Sequence, residues 1–319
     1  RQWVICGVIY CYFERWQINF AKIKTMSYKI LTDFLDKLPS NKKYKDLKMI
    51  EAIELNEIRN ESCLDTMKLM PDNFVDLTIT SPPYDDLRNY NGYSFDFESI
   101  AKELYRVTKQ GGVVVWVVGD KTHKGSETGT SFKQALYFKE CGFNLHDTMI
   151  WKKINPMPVN DKRYQQSFEY MFVFSKGSPS SVNLIKEEKT KGTIERQKTK
   201  IKTSQYGKDG EYVNYTFYNG NVKTSTKKKN IFEYKIGFCS KGDKTKHPAI
   251  FPEQLANDHI ISWSNENDLV YDPFMGSGTT AKMAILNNRN YIGSEISIEY
   301  CDIIAERLAS VEGKKNNVI

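Results

Sequence analysis

Residues 113–118 read Val-Val-Val-Trp-Val-Val, and this uninterrupted apolar run restricts the possible folds more than any other feature of the sequence. A strand without polar alternation is buried on both faces, as strands are in parallel sheets covered by helices on either side. A helical pattern over 97–108 comes directly before the run, and Gly111-Gly112 is expected to close that helix. This order of helix and buried strand predicts an α/β fold.

The same alternation continues along the chain. Strands are predicted over 74–80, 149–151, 170–174, 269–272 and 291–295, and helices over 27–38, 131–141, 279–287 and 298–309. Strands that alternate with helices in this way predict a doubly wound, mostly parallel, Rossmann-like sheet.

The basic residues are concentrated in one segment, 175–246. It holds 16 Lys and one Arg against seven acidic residues, a net charge of +10, whereas the whole chain has a net charge of +7. Lys residues could neutralise nucleic-acid phosphates, and Asn, Gln, Arg and Ser could read base edges. The alternative is a Lys-rich surface insertion that is merely solvated.

Residues 272–280 read Asp-Pro-Phe-Met-Gly-Ser-Gly-Thr-Thr and lie between a predicted strand and a predicted helix. Glycine lets the backbone turn tightly and approach a ligand closely, and a helix start presents free N–H groups. The segment is not a Walker A loop, because no Lys separates Gly278 from Thr279. It predicts a site for a nucleotide-like cofactor, with a tight turn that binds no ligand as the alternative.

Glu295 ends the next predicted strand, 17 residues after Gly278. A carboxylate in this place of a Rossmann-like fold can accept hydrogen bonds from both hydroxyls of a ribose. A lone Glu at a strand end is more often solvated, but together with the glycine loop the ribose-binding interpretation is favoured.

A third motif, Ser81-Pro82-Pro83-Tyr84, follows the predicted strand 74–80. The amino group of a base is a poor nucleophile, because its lone pair is delocalised into the ring. The Ser81 hydroxyl and the Pro82 carbonyl could accept its hydrogens, and prolines would hold those oxygens in place. Tyr84 could stack on a base taken out of the double helix. The alternative is an ordinary proline-rich turn.

In combination, the motifs at 81–84 and 272–280 resemble those of the DNA amino-methyltransferases, which methylate cytosine N4 or adenine N6 with S-adenosylmethionine. The catalytic motif precedes the cofactor motif, with the basic segment between them, which resembles the β class of the family. The resemblance runs from about residue 58 to about residue 309. It implies a Rossmann-like methyltransferase sheet with an inserted target-recognition region.

The resemblance also implies the site residues. The catalytic residues would be Ser81, Pro82, Pro83 and Tyr84. The residues implied to bind S-adenosylmethionine are Asp272, Pro273, Phe274, Gly276, Ser277, Gly278, Thr279, Thr280, Glu295, Ile296, Ser62, His247 and Pro248. Residues 151–156 and 168–174 resemble the stretches that line the flipped-base pocket. Relatives often carry Gly-Asp-Cys at 61–63, whereas this chain has Glu-Ser-Cys, so Ser62 departs from the pattern.

Ser81 favours cytosine N4 as the target, because members that act on adenine N6 more often have Asp in its place. Two alternatives remain at this point. One is an adenine N6 methyltransferase of the same fold. The other is a DNA-binding module that has lost cofactor binding, for which the departure at Ser62 is the only support.

Four regions are expected: an N-terminal extension (1–48), a catalytic half (49–174), a basic target-recognition insertion (175–246) and a cofactor-binding half (247–319). Roughly the first 25 residues are expected to lie upstream of the natural start, with an ordinary N-terminal element as the alternative. The apolar run 3–13 is too short to span a bilayer.

Six scattered cysteines argue against a disulfide framework or a metal site and favour a cytoplasmic protein. The implied partner is double-stranded DNA. A cognate restriction endonuclease and a homodimer are compatible with the resemblance, and no membrane is expected.

Overall fold

The computed structural model describes residues 53–83, 95–156, 158, 162–198, 201–206, 210–217, 223–235 and 252–315. Its strands are β1 (Glu57–Arg59), β2 (Val75–Thr80), β3 (Thr108–Val118), β4 (Thr122–His123), β5 (Ser126–Glu127), β6 (Asn144–Lys153), β7 (Phe168–Ser175), β8 (Lys186–Glu188), β9 (Ile201–Tyr206), β10 (Tyr212–Phe217), β11 (Ser225–Lys227), β12 (Ile231–Tyr234), β13 (Leu269–Asp272) and β14 (Asn290–Ser294). Its helices are α1 (Cys63–Leu69), α2 (Phe97–Val107), α3 (Thr130–Glu140), α4 (Lys191–Lys198), α5 (Glu253–Trp263), α6 (Thr279–Leu286) and α7 (Ile298–Lys315). The predicted helix 27–38 lies outside the described residues.

Eight of these strands form one sheet in the order β1-β14-β13-β2-β3-β7-β6-β12. Every described neighbouring pair is parallel except the two that involve β7, which runs against β3 and β6. The predicted doubly wound, mostly parallel sheet is confirmed. The carboxyl ends of β2, β13 and β14 lie side by side, which is where such sheets bind ligands.

Helices cover both faces of the sheet, as the apolar run at 113–118 requires. Val113, Val115 and Val117 of β3 face a core shared with α5, α6 and α7. Val114, Trp116 and Val118 face the opposite core, shared with α1, α2 and α3. Because successive side chains of a strand point to opposite faces, every residue of this run is buried.

The prediction that Gly111-Gly112 closes the preceding helix is wrong. α2 ends at Val107, and the hydroxyl of Thr108 donates to the Leu104 carbonyl at 2.6 Å. The two glycines lie inside β3, where the pairing with β2 is irregular. A Cβ on Gly111 would stand 1.8 Å from the Ser180 hydroxyl, so the glycine is needed for close approach of another segment.

The last described strand of the basic segment belongs to the sheet. β12 pairs in parallel with β6, from Ile231 opposite Ile150 to Tyr234 opposite Lys153. The segment therefore contributes an edge strand to the eight-stranded sheet. No helix in the described part of the chain has the length and apolar character to cross a membrane.

Candidate active site

The catalytic and cofactor motifs follow two neighbouring strands. β2 and β13 pair with Val270 opposite Leu77 and Tyr271 opposite Thr78. Both strands point the same way, so the segment that starts at Ser81 and the loop after Asp272 leave the same edge of the sheet. Two motifs about 190 positions apart in the sequence are thereby brought together.

The buried carboxylate of Asp272 holds these two segments to one another. Its Oδ1 accepts from the Thr80 hydroxyl at 2.6 Å and from the Phe274 N–H at 3.0 Å, and its Oδ2 accepts from the Thr280 hydroxyl at 2.6 Å. Burial raises the pKa of Asp272, while the three donors oppose that rise. The Asp272 carboxylate, which was predicted to bind the cofactor, is therefore surrounded by three donors of the protein itself.

Two glycines allow the turn between β13 and α6. Gly276 and Gly278 have φ values of 55° and 79°, a region that favours glycine. The Gly278 N–H donates to the Met275 carbonyl at 2.9 Å, and the Met275 N–H donates to the Ser294 carbonyl at 2.9 Å. A Cβ at Gly278 would lie 3.0 Å from Ile304 Cγ2 of α7, so this glycine also permits close packing of the helix below the loop.

Glu295 lies beside this loop, directly after β14. Its Oε2 accepts from the Gly276 N–H at 2.8 Å and its Oε1 from the Ser297 N–H at 2.9 Å. The residue is 8% exposed, and burial raises its pKa while the two backbone donors lower it. Each carboxylate oxygen has a second lone-pair direction. The side chain is thus held in place and can still accept hydrogen bonds from a ligand.

Arg307 of α7 fixes the loop from the protein interior. Its guanidinium donates to the Ser277 carbonyl at 2.8 Å, to the Thr279 hydroxyl at 3.0 Å and to Glu253 of α5 at 2.7 Å. Glu253 also pairs with Lys282 of α6. The network joins three helices under the loop. Arg307 was not predicted from the sequence, because a single Arg within a helical pattern does not indicate that its side chain is buried.

Several predicted cofactor ligands use their side chains within the protein. Those of Asp272, Thr279 and Thr280 take part in the contacts described above, and the Ser277 hydroxyl accepts from Arg307 at 3.2 Å. Cofactor contact through the backbone of these residues stays a prediction. The Ser62 hydroxyl accepts from the Leu64 N–H at 3.3 Å and caps α1. Its role at the cofactor stays a prediction as well.

The remaining predicted residues divide into two groups. Pro82 is buried and Ser81 and Pro83 are half-buried after β2. Pro273 is buried after Asp272, and Ile296 is half-buried after Glu295. The half-buried Phe274 ring meets those of Phe95 and Trp116 edge-on, with centroids 5.7 and 6.3 Å apart. Tyr84, His247 and Pro248 lie outside the described residues.

The stretches expected to line the base pocket also meet at the carboxyl edge. Lys153 ends β6, Glu169 is the second residue of the antiparallel β7, and their side chains form an ion pair at 2.7 Å. Both side chains are largely buried. The Trp151 indole donates to the Tyr234 carbonyl of β12 at 3.2 Å. The basic segment therefore reaches this edge through β12.

Comparison with known families shows which family the chain belongs to. A DNA methylase family of the N6 and N4 type matches residues 75–306, a range that includes β2, Ser81, the glycine loop and Glu295. The chain belongs to this family. It is a DNA methyltransferase that uses S-adenosylmethionine, as its two motifs predicted.

Individual relatives agree with this assignment. The chain is 63% identical over 237 residues to the orphan methyltransferase M.BamHII of Bacillus amyloliquefaciens, covering 73% of this chain and 88% of that relative. It is 26% identical over 277 residues to the type II methyltransferase M.BglII of Bacillus subtilis, covering 82% of this chain and 71% of the relative.

Solved structures share the fold. The PvuII DNA methyltransferase (cytosine-N4-specific) superimposes with a TM-score of 0.59 at 20% identity, over 82% of this chain and 93% of that one. M1.HpyAVI in complex with S-adenosylmethionine superimposes with a TM-score of 0.53 at 25% identity, over 79% of this chain and 98% of that one.

Proposed function

We propose that this DNA methyltransferase acts on the N4 amino group of cytosine in double-stranded DNA, on a base turned out of the helix. The observation that best supports methyl transfer at this edge is the contact between Thr80 and Asp272, 2.6 Å long, while the choice of cytosine rests on Ser81. It ties the residue before Ser81 to the residue that opens the glycine loop. A base whose amino group contacts Ser81 would therefore lie next to a methyl donor bound at the glycine loop.

The residues around the glycine loop suit S-adenosylmethionine. Glu295 is fixed by two backbone donors and retains acceptor capacity for the two hydroxyls of a ribose. Gly276 of the loop donates its N–H to Glu295, and Phe274 lies two positions before Gly276 in the same loop. When bound, the cofactor supplies a methyl group on a positively charged sulfonium, which is a strong electrophile.

Ser81 and Pro82 would act on the amino group of the base. A hydroxyl at Ser81 and the Pro82 carbonyl can accept the two amino hydrogens, which frees the nitrogen lone pair from the ring. Pro82 and Pro83 restrict the backbone, so these acceptors need no rearrangement. The methylated nitrogen is acidic and can lose its proton to water. No strong general base is required.

The identity of residue 81 favours cytosine over adenine. A neutral hydroxyl is a weaker acceptor than the Asp that adenine N6 members more often carry. With Ser81, more of the activation rests on backbone carbonyls and on the positive charge of the methyl donor.

The basic segment 175–246 is the proposed target-recognition region, because its net charge of +10 suits DNA phosphates. M.BamHII is named an orphan methyltransferase and M.BglII a type II methyltransferase. At 63% identity the former is the better guide, so we favour cytoplasmic DNA modification without a dedicated restriction endonuclease. Homodimer formation stays a prediction.

Transfer of a labelled methyl group tests the proposal. The protein is incubated with DNA and methyl-labelled S-adenosylmethionine, the DNA is digested to nucleosides, and the labelled nucleoside is identified by mass. We expect N4-methyldeoxycytidine. Ser81→Ala is the control and should bind the cofactor normally while transferring methyl groups more slowly. Label in N6-methyldeoxyadenosine would contradict the cytosine assignment, and unlabelled DNA would contradict the activity.

A further inference from the structure

The inference concerns Thr80 and Asp272, and it rests on the proposed function. Thr80 is the last residue of β2 and directly precedes Ser81, while Asp272 is the last residue of β13 and directly precedes the glycine loop. The described pairing of the two strands ends at Tyr271 opposite Thr78. Beyond that point β2 and β13 are joined by the 2.6 Å hydrogen bond between the Thr80 and Asp272 side chains.

Asp272 also holds the loop itself. The oxygen that accepts from Thr80 accepts from the Phe274 N–H, and the other oxygen accepts from the Thr280 hydroxyl in the first turn of α6. Asp272 is 5% exposed, and Thr80 and Thr280 are each 1% exposed. Water has little access to these bonds, and charge-assisted hydrogen bonds of this kind are strong.

Methyl transfer depends on alignment, because the attacking nitrogen must approach the methyl carbon opposite the leaving sulfur. Reacting atoms have to be held about 3–3.5 Å apart, and a displacement of about 1 Å can lower the rate about a hundredfold. We propose that Thr80 and Asp272 are positioning residues that keep Ser81 in register with the methyl donor at the glycine loop. Neither residue needs to touch a substrate for this role.

The chain offers a matched control in Thr78. It lies two residues before Thr80 on the same strand, so both side chains point to the same face of the sheet. Thr78 is fully buried, and its hydroxyl has no hydrogen-bond partner among the described residues. Replacing either Thr by Val removes the same hydroxyl, but only at position 80 does the change remove a bond to Asp272.

The experiment compares Thr80→Val, Thr80→Ser and Thr78→Val with the wild type. Single-turnover methylation is measured with saturating DNA and S-adenosylmethionine, cofactor affinity by calorimetry, and the unfolding temperature in parallel. Thr80→Val should methylate about ten to a hundred times more slowly with nearly unchanged cofactor affinity. Thr80→Ser should recover most of the rate, and Thr78→Val should keep the wild-type rate. Thr80→Ala, which adds no atoms, should show the same loss and replaces Thr80→Val if valine prevents folding.

Two outcomes would overturn the inference alone. One is a wild-type rate for Thr80→Val or Thr80→Ala at a temperature where the variant is folded, since a structural role would lower only the unfolding temperature. The other is an equal loss of rate in Thr78→Val. Wild-type protein that transfers no methyl group to DNA would instead refute the proposed function, and the inference with it.

Discussion

At the scale of single residues, Glu295 has two tasks. It accepts the Gly276 and Ser297 N–H groups, and it is proposed to bind the ribose of the cofactor. Glu295→Gln replaces one acceptor oxygen by an NH2 donor, which must face a backbone N–H. Because a hydrogen bond to a charged group contributes about 1.5–3 kcal/mol, cofactor affinity should fall about ten- to a hundredfold.

Calorimetric titration with S-adenosylmethionine measures this loss. Glu299→Gln is the matched control, because it makes the same change at an exposed position in the first turn of α7. The control should bind the cofactor as the wild type does. Wild-type affinity in Glu295→Gln would remove Glu295 from the cofactor site.

The structure gives two reasons why a side chain at Gly278 should destabilise the glycine loop. Its φ of 79° disfavours any L side chain, and an added Cβ would press on Ile304 at 3.0 Å. Gly125 has nearly the same φ, 78°, but no atom within 4 Å of its added Cβ. Gly125→Ala should lower the free energy of unfolding by about 1–2 kcal/mol from backbone strain alone.

Gly278→Ala should cost about 1–3 kcal/mol more than Gly125→Ala, because overpacking against Ile304 adds to the strain. It should also weaken cofactor binding, since the loop must move away from α7. Denaturant unfolding of the two variants measures the difference. Equal losses of unfolding free energy in the two variants would show that the contact with Ile304 does not destabilise the Gly278→Ala variant.

At the scale of elements, α5 carries a buried imidazole against β7. His259 Nε2 lies 3.4 Å from the Met171 sulfur, and Nδ1 accepts from the Trp263 indole at 3.3 Å. Burial lowers the pKa of His259 to about 3. The unfolded chain, with an ordinary His pKa of about 6.5, therefore binds more protons between these values. Stability that is present above pH 6.5 is lost as the pH falls toward 3.

The free energy of unfolding, measured against pH between about 4 and 6, tests this prediction. His259→Gln should reduce the slope by about 1.4 kcal/mol per pH unit, the value for one proton. The exposed His123 is the control, and His123→Gln should keep the wild-type slope. An unchanged slope in His259→Gln would mean that the buried imidazole is not the origin of the acid sensitivity.

The elements themselves were largely predictable, because their patterns are local. The strand 269–272 was placed without error, and β2 and β14 to within one residue at each end. Short runs of strand-forming residues mark all three, and a Pro follows closely after β2 and β13. The predicted end of α2 is right to within one residue, but the role given to Gly111-Gly112 is wrong. Gly111 looked like a helix terminator, whereas its absent side chain makes room for Ser180, almost 70 positions away.

At the scale of the whole molecule, the sequence contains the two motifs that the fold brings to one sheet edge, but it does not show the contacts that hold them there. Arg307, Glu253 and Thr80 have no local signature, because their importance comes from neighbours on other elements. Asp272 was assigned to the cofactor, yet its carboxylate links β2, the glycine loop and α6. The sequence motifs thus predicted the family, whereas the buried contacts between the motifs could be found only in the folded chain.

We propose above all that this sheet edge methylates cytosine N4 within a defined DNA sequence. Methylome sequencing of cells that express the chain, beside cells that express Ser81→Ala, tests it most directly. We expect N4-methylcytosine in one sequence context with the wild type and a strongly reduced level with the variant. Methylated adenine in place of cytosine, or DNA without any new modified base, would contradict it.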